Sequence, residues 1–310
     1  MALRFDRKPG LVAYLTVGDP DLATSQKIAL AAIDAGADVL ELGVPFSDPL
    51  ADGPVIQRAS ERAVANGTRL KDVLTLAGEL RRQRPAAGLV IFSYYNPILR
   101  FGLEAFCAAA AKAGVDGVLV TDMIVEEAGE YLEVLRRHGL APIFLAAPTS
   151  PDERLERIAA VSDGFVYAIS RVGITGTRTA LESDAEQLVK RLRRYTKLPI
   201  AVGFGISNAE HFAAVGEFAD AAVVGSALVA TIERAGSEEA PSSIARFIEG
   251  LLGGIREPAA PARQNPSHTE ELSGKNAMLP RSQPRGGQGN PWISKTGGAK
   301  STNWIGRLSP

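Results

Sequence analysis

The sequence predicts an α/β protein in which eight parallel strands, each followed by a helix, close into a (β/α)8 barrel. Three observations carry that prediction. From residue 10 to residue 255, short apolar, β-branched runs alternate with amphipathic helical runs, the apolar runs number eight, and several turns are marked by Gly or Pro. Strict alternation of strand and helix requires a parallel sheet with right-handed crossovers. Eight units in about 250 residues match a closed barrel, whereas an open doubly wound sheet has fewer strands and a crevice where the strand order reverses.

Taken in order, strands are expected at 11–17, 38–42, 89–94, 117–121, 142–146, 164–169, 199–202 and 221–224. Helical periodicity is clearest over 25–35, 70–84, 103–113, 126–138 and 184–195. Gly36 and Gly114 sit where a helix stops and the next strand begins, the usual place for a residue that tolerates a left-handed backbone. Beyond residue 255 the texture changes to Pro, Gly, Ser, Asn and Gln with no hydrophobic period. The expected organisation is therefore a barrel over 1–255 and a disordered tail over 256–310, basic because it holds eight Lys/Arg against three Asp/Glu.

A formal net charge of −1 and 45% hydrophobic content describe an ordinary soluble globular chain and point to neither nucleic acid nor membrane. No signal-peptide core and no apolar run near the roughly 18 residues of a spanning helix can be found. The single cysteine, Cys107, excludes an intrachain disulfide; it reads as a buried structural thiol and suggests a reducing, cytoplasmic setting.

In such a barrel the chemistry lies at the carboxyl ends of the strands. The second strand runs into Glu41-Leu42-Gly43-Val44-Pro45-Phe46-Ser47-Asp48-Pro49-Leu50-Ala51-Asp52-Gly53-Pro54, a segment with three carboxylates. Period-two alternation puts Val39, Glu41 and Gly43 on one face and Leu40 and Leu42 on the other, so Glu41 interrupts a buried element. A charge there is either neutralised structurally or kept for catalysis. Strands 7 and 8 end in Gly203-Phe204-Gly205-Ile206-Ser207 and Gly225-Ser226, each directly before a helix. Glycine loops opening onto helix N-termini at those two positions suit a phosphate. The loop from Ser170 to Arg178 has two glycines, three hydroxyls and two arginines, and reads equally as a lid or as a connector. Asp19-Pro20 and Asn96-Pro97 read as turn initiators. With three histidines, one cysteine and no lysine at a strand end, neither a metal site, a thiol nucleophile nor a Schiff base has support.

Together with Thr16-Val17-Gly18-Asp19-Pro20, Tyr94-Tyr95-Asn96-Pro97 and Ser170-Arg171-Val172-Gly173-Ile174-Thr175-Gly176, these segments resemble the alpha subunit of tryptophan synthase from about residue 10 to about residue 252. The resemblance implies a TIM barrel that cleaves indole-3-glycerol phosphate to indole and glyceraldehyde 3-phosphate without metal or organic cofactor. It implies Glu41 as general acid/base and Asp52 as acceptor of the indole N–H. Tyr167 is implied near Glu41, with Tyr14 and Leu119 in the indole pocket and Thr175 closing onto Asp52. Gly176, Gly203, Phe204, Gly205, Gly225 and Ser226 would hold the phosphate. The implied partner is a pyridoxal-phosphate-dependent beta subunit in an alpha2beta2 heterotetramer, met by loop 43–55 and the loop carrying Tyr95 and Asn96. Alternatives are a free-standing lyase, another phosphate-binding barrel enzyme, or a non-catalytic activator of a beta subunit. Four features depart from the family pattern: the short segment before the first strand, Met123-Ile124 after Asp122, Tyr14 where phenylalanine is common, and the tail.

Overall fold

Side chains along every strand alternate between two apolar environments, and that alternation builds the molecule. A computed structural model describes residues 3–169, 178–203 and 205–253, with the side chains of 178–182 left aside. The strands are β1 (Gly10–Thr16), β2 (Val39–Gly43), β3 (Gly88–Ser93), β4 (Gly117–Val120), β5 (Ala141–Ile143), β6 (Leu145–Ala146), β7 (Val166–Ile169), β8 (Ile200–Gly203) and β9 (Ala221–Val224). All pairings are parallel, in the order β5-β4-β3-β2-β1-β9-β8-β7-β6. Only Phe144 separates β5 from β6, so the ends of that order are two halves of one bent strand and the sheet is a closed ring of eight. The Phe144 carbonyl bridges the break by accepting from the Tyr167 amide at 3.1 Å. The fifth expected strand is thus present but interrupted.

Val12, Val39, Val90, Leu119, Ile143, Phe165, Ala201 and Val223 point inward and fill the barrel. Leu11, Leu40, Leu42, Leu89, Ile91, Val118, Val166, Ile200 and Val224 point outward against the helices, where burying each large aliphatic side chain contributes about 2 kcal/mol. Despite the short segment before β1, the barrel bottom is closed. Leu3 packs where Gly117 and Gly164 have no side chain, and Phe5 meets the Phe165 ring edge-on at 6.0 Å.

An aspartate just before β2, β4 and β9 fixes the register from below. Asp38, Asp116 and Asp220 accept from the amides of Leu11, Leu89 and Ile200 on the neighbouring strands at 2.7, 2.9 and 2.8 Å. Each also pairs with an arginine: Arg7, Arg81 and Arg193 respectively. A one-residue slip would break these bonds and turn the inward face outward.

The helices are α1 (Leu22–Asp34), α2 (Pro54–Ala65), α3 (Leu70–Gln83), α4 (Tyr95–Phe101), α5 (Leu103–Lys112), α6 (Gly129–Arg137), α7 (Asp152–Val161), α8 (Arg178–Leu192), α9 (Ala209–Phe218) and α10 (Ser226–Leu252). Asp21 caps α1 by accepting from Thr24 N at 2.7 Å, and Asn208 caps α9 by accepting from His211 N at 2.9 Å. Where a loop was expected around Tyr95 and Asn96, α4 begins, because Pro97 falls in a first turn that has no use for its missing N–H. Cys107 is buried on α5 and its thiol is pushed up to about 11, chiefly by that burial.

Candidate active site

Alternation along β2 leaves Glu41 nowhere to go but the barrel lumen. Its register partners are Tyr14 on β1 and Val90 on β3. Glu41 is fully buried, and neither carboxylate oxygen has a hydrogen-bond partner among the described residues. Burial without compensation penalises the charged form, so the carboxyl is pushed up to about 8. At neutral pH such a group is mostly protonated and can act as an acid.

Asp52 reaches the same space from the loop between β2 and α2. Gly53 caps α2 and Pro54 opens it, which ends the loop abruptly. The Tyr94 hydroxyl donates to Asp52 Oδ2 at 3.0 Å and accepts from Ala51 N at 2.9 Å. Gln57 Nε2 donates to the carbonyls of Asp52 at 2.9 Å and Pro49 at 3.3 Å, and Ser60 Oγ accepts from Phe46 N at 3.3 Å. Burial lifts the Asp52 carboxyl to about 6, with the Tyr94 hydrogen bond acting against that rise. Two carboxyls in one cavity, separated in acidity by their surroundings, can take an acid role and an anion role at the same pH.

The two face a cavity of about 550 Å³ whose lining also includes Tyr14, Phe92, Leu145, Tyr167, Ile206 and Val223. The Tyr14 hydroxyl pairs with Thr16 Oγ1 at 3.2 Å, and the ring meets Phe92 edge-on at 5.0 Å. This packing depends on Gly43, since a Cβ there would lie 2.4 Å from the Tyr14 hydroxyl. Tyr167 is held well above the ordinary phenol value, first by burial and then by the charges of Glu41 and Asp52.

At the cavity mouth stand Gly203, Gly205, Gly225 and Ser226. Gly205 takes φ 68°, a conformation few other residues adopt, and a Cβ on Gly203 would lie 2.9 Å from the Tyr167 hydroxyl. Gly225 is the N-cap of α10 and makes no side-chain cap, so the first amides of that helix remain available to an anion.

Of the residues expected at the site, Tyr14, Glu41, Asp52, Tyr167, Gly203, Gly205, Gly225 and Ser226 therefore share one cavity. Leu119 is buried in the interior cluster instead of the lining. Thr175, Gly176 and Phe204, with the loop that contains Thr175 and the tail after residue 253, lie outside the described residues. Sequence reasoning missed Phe92, Leu145, Ile56 and Val223. Continuing the inward alternation from Val90 would have found Phe92, whereas Ile56 belongs to a helix whose facing is set by packing. A second groove, of about 790 Å³, runs outside the barrel mouth between the loop after β2 and α4, lined by Pro45, Phe46, Asp48, Thr68, Asn96 and Phe101 among others. Leu50, Leu99 and Phe101 are exposed nearby, Leu50 at 92%.

The family model of the tryptophan synthase alpha chain matches residues 1–250. The chain belongs to that family. It is 49% identical over 232 residues to the tryptophan synthase alpha chain of Solibacter usitatus, an alignment covering 75% of this chain and 86% of the relative. To the Laribacter hongkongensis alpha chain it is 47% identical over 256 residues, covering 83% and 95%. Among solved structures, the tryptophan synthase a2b2 complex of Pyrococcus furiosus has a chain that superposes with a TM-score of 0.73 at 41% identity, covering 80% of this chain and 99% of that one. A chain of the aminoacrylate-bound Mycobacterium tuberculosis tryptophan synthase gives 0.73 at 34% identity, covering 80% and 94%. Membership of the tryptophan synthase alpha family makes this chain a TIM-barrel indole-3-glycerol phosphate lyase of tryptophan biosynthesis. Among the described residues no helix is long and apolar enough to cross a membrane.

Proposed function

We propose that Glu41 and Asp52 carry the lyase reaction, Glu41 as general acid and then base, and Asp52 as the anion beside the indole nitrogen. The observation that carries the reading is the burial of Glu41 with both oxygens unpartnered beside an apolar cavity. Protonated Glu41 gives its proton to indole C3, which turns the ring into an electrophilic leaving group. The resulting carboxylate takes the proton of the glycerol hydroxyl next to the ring, the carbon–carbon bond breaks, and its electrons return to the indole. Glu41 ends protonated, ready for another turn. Asp52, accepting from the ring N–H, stabilises the positive charge on the ring between the two steps.

The phosphate of the substrate is assigned to Gly203, Gly205, Gly225 and Ser226, and the indole to the space between Tyr14, Phe92 and Tyr167. Thr175, Gly176 and Phe204 belong to the same proposal by resemblance, as does Leu119 beneath the indole. The catalytic domain is taken as 1–255, working in the cytoplasm with no metal or organic cofactor of its own. A beta subunit is assigned to the outer groove, in an alpha2beta2 assembly; exposed Leu50, Leu99 and Phe101 supply the apolar surface that a protein partner would cover.

Measuring indole release from indole-3-glycerol phosphate, with and without an added tryptophan synthase beta subunit, tests the whole reading. Wild type releases indole and does so faster with the partner. Glu41→Gln loses at least about 100-fold in turnover while still binding substrate. Full turnover by Glu41→Gln refutes the mechanism, and a partner without effect refutes the docking.

A further inference from the structure

The cavity places Asp52, yet the strongest ionic contacts of the α2 segment lie at its other end. Arg62, in the last turn of α2, makes a two-pronged pair with Asp19 of the loop after β1, Nε to Oδ1 at 2.7 Å and Nη2 to Oδ2 at 2.8 Å. Asp19 is only 3% exposed, and the planar guanidinium meets both of its oxygens. Arg62 Nη1 also donates to Glu233 Oε1 of α10 at 2.9 Å, and Arg58 binds the same carboxylate with two bonds of 3.0 and 2.8 Å. One turn farther on, Asn66 Nδ2 donates to the carbonyls of Gly18 at 3.2 Å and Pro20 at 2.6 Å.

From this geometry we infer that Arg62 is a positioning residue for Asp52, acting through α2 as a rigid arm clamped at its far end to Asp19. At its near end the arm grips the reactive loop through Gln57 on the carbonyls of Asp52 and Pro49 and through Ser60 on the amide of Phe46. A helix of 12 residues is about 18 Å long, so a tilt of roughly 3° moves one end by about 1 Å relative to the other. A displacement near 1 Å at a reacting centre costs on the order of 100-fold in rate. Losing the clamp also leaves Asp19 a buried carboxylate with its main partner gone, which drives the loop and helix apart.

The inference rests on the proposed role of Asp52, and its test separates the two. Arg62→Ala, Arg62→Lys and Asp19→Asn are compared with Asp52→Asn and with Arg84→Gln, which removes an exposed pair to Asp34 far from the cavity. Arg62→Ala and Asp19→Asn are expected to lower kcat about 10- to 100-fold with KM changed less than threefold. The acid limb of their pH–rate profile moves below that of wild type, because a displaced Asp52 gains water and loses the burial that raises it. Added guanidinium ion restores part of the rate to Arg62→Ala alone. Arg62→Lys, which keeps charge and fold, retains an intermediate rate because an ammonium cannot engage both oxygens of Asp19. Should the variants melt earlier yet keep wild-type kcat and an unmoved acid limb, Arg62 is merely structural and the inference is overturned. Should Asp52→Asn itself keep full turnover, the reading of Asp52 fails first.

Discussion

The Tyr94 hydroxyl donates to Asp52 Oδ2 at 3.0 Å while accepting from the amide of Ala51 at 2.9 Å, so one side chain from the end of β3 orients a carboxylate in another loop and tempers its acidity. Burial raises Asp52 to about 6, and this hydrogen bond restrains the rise. Tyr94→Phe removes the donor and strands the Ala51 amide. The acid limb of kcat/KM is therefore expected to move upward from pH 6 by up to about one unit, with a fall in kcat at pH 6.5 that shrinks by pH 7.5. A pH–rate profile of this variant checks the direction; a downward movement contradicts the role given to the hydroxyl.

The same two carboxyls are expected to set the pH dependence of wild type. The proposed mechanism requires Asp52 ionised and Glu41 protonated at the start of the cycle. With values of about 6 and about 8, kcat/KM traces a bell whose limbs fall near those two pH values. Profiles of Asp52→Asn and Glu41→Gln, each measured for residual activity, assign the limbs: the acid limb disappears in the first and the basic limb in the second.

Glu41 also leaves a mark on stability. Its folded-state value lies above the free side chain's 4.5, so its contribution favours folding fully below pH 4.5 and is lost as pH rises through about 8. At pH 8 the buried acid thus weakens the fold by an amount on the order of 4 kcal/mol relative to pH 4.5, at 1.36 kcal/mol per unit, with the unfolded chain half-titrated at the lower pH and the folded one at the upper. Glu41→Gln lacks the titration. Its denaturation midpoint is expected to exceed that of wild type at pH 8, and the gap narrows towards pH 5. Equal midpoints across that range would mean that the carboxyl is not buried in the folded protein.

Gly43 is the third point of control. A Cβ there would meet the Tyr14 hydroxyl at 2.4 Å, and that hydroxyl is tied to Thr16. Gly43→Ala is expected to cost about 1–3 kcal/mol by overpacking and to raise KM for indole-3-glycerol phosphate. Tyr14→Phe in the same chain, which removes the nearest of the three Tyr14 atoms that the Cβ would meet and leaves ring carbons at 2.7 and 2.8 Å, should recover part of both. Measured as a double-mutant cycle by denaturant melts, additive losses would show that the two positions do not touch.

Much of this protein is legible in its sequence because its determinants are local and periodic. Alternation alone turns Val39 and Glu41 to one side of β2 and Leu40 and Leu42 to the other, and the structure keeps that division between lumen and helix layer. Strand–helix alternation likewise yields the ring of eight, and glycine before helix α10 marks an anion-ready N-terminus. The interruption at Phe144 left no such signal, because the alternation of Ile143, Phe144 and Leu145 continues through the break. Nor did periodicity show α4, whose few residues carry too little pattern to tell a helical turn from a loop.

By itself the sequence determined the barrel, the family, and the two carboxylates on which the chemistry is proposed to turn. Only the tertiary structure decided what state those groups are in. The acidity of Glu41 follows from having no partner within a buried lumen, and that of Asp52 from burial opposed by the hydrogen bond of Tyr94, 42 residues away in the chain. The aim of Asp52 depends on Asp19 and Arg62, 43 residues apart. Such pairings are fixed by how strands and helices close around one another, a long-range outcome of packing that no local window of residues contains.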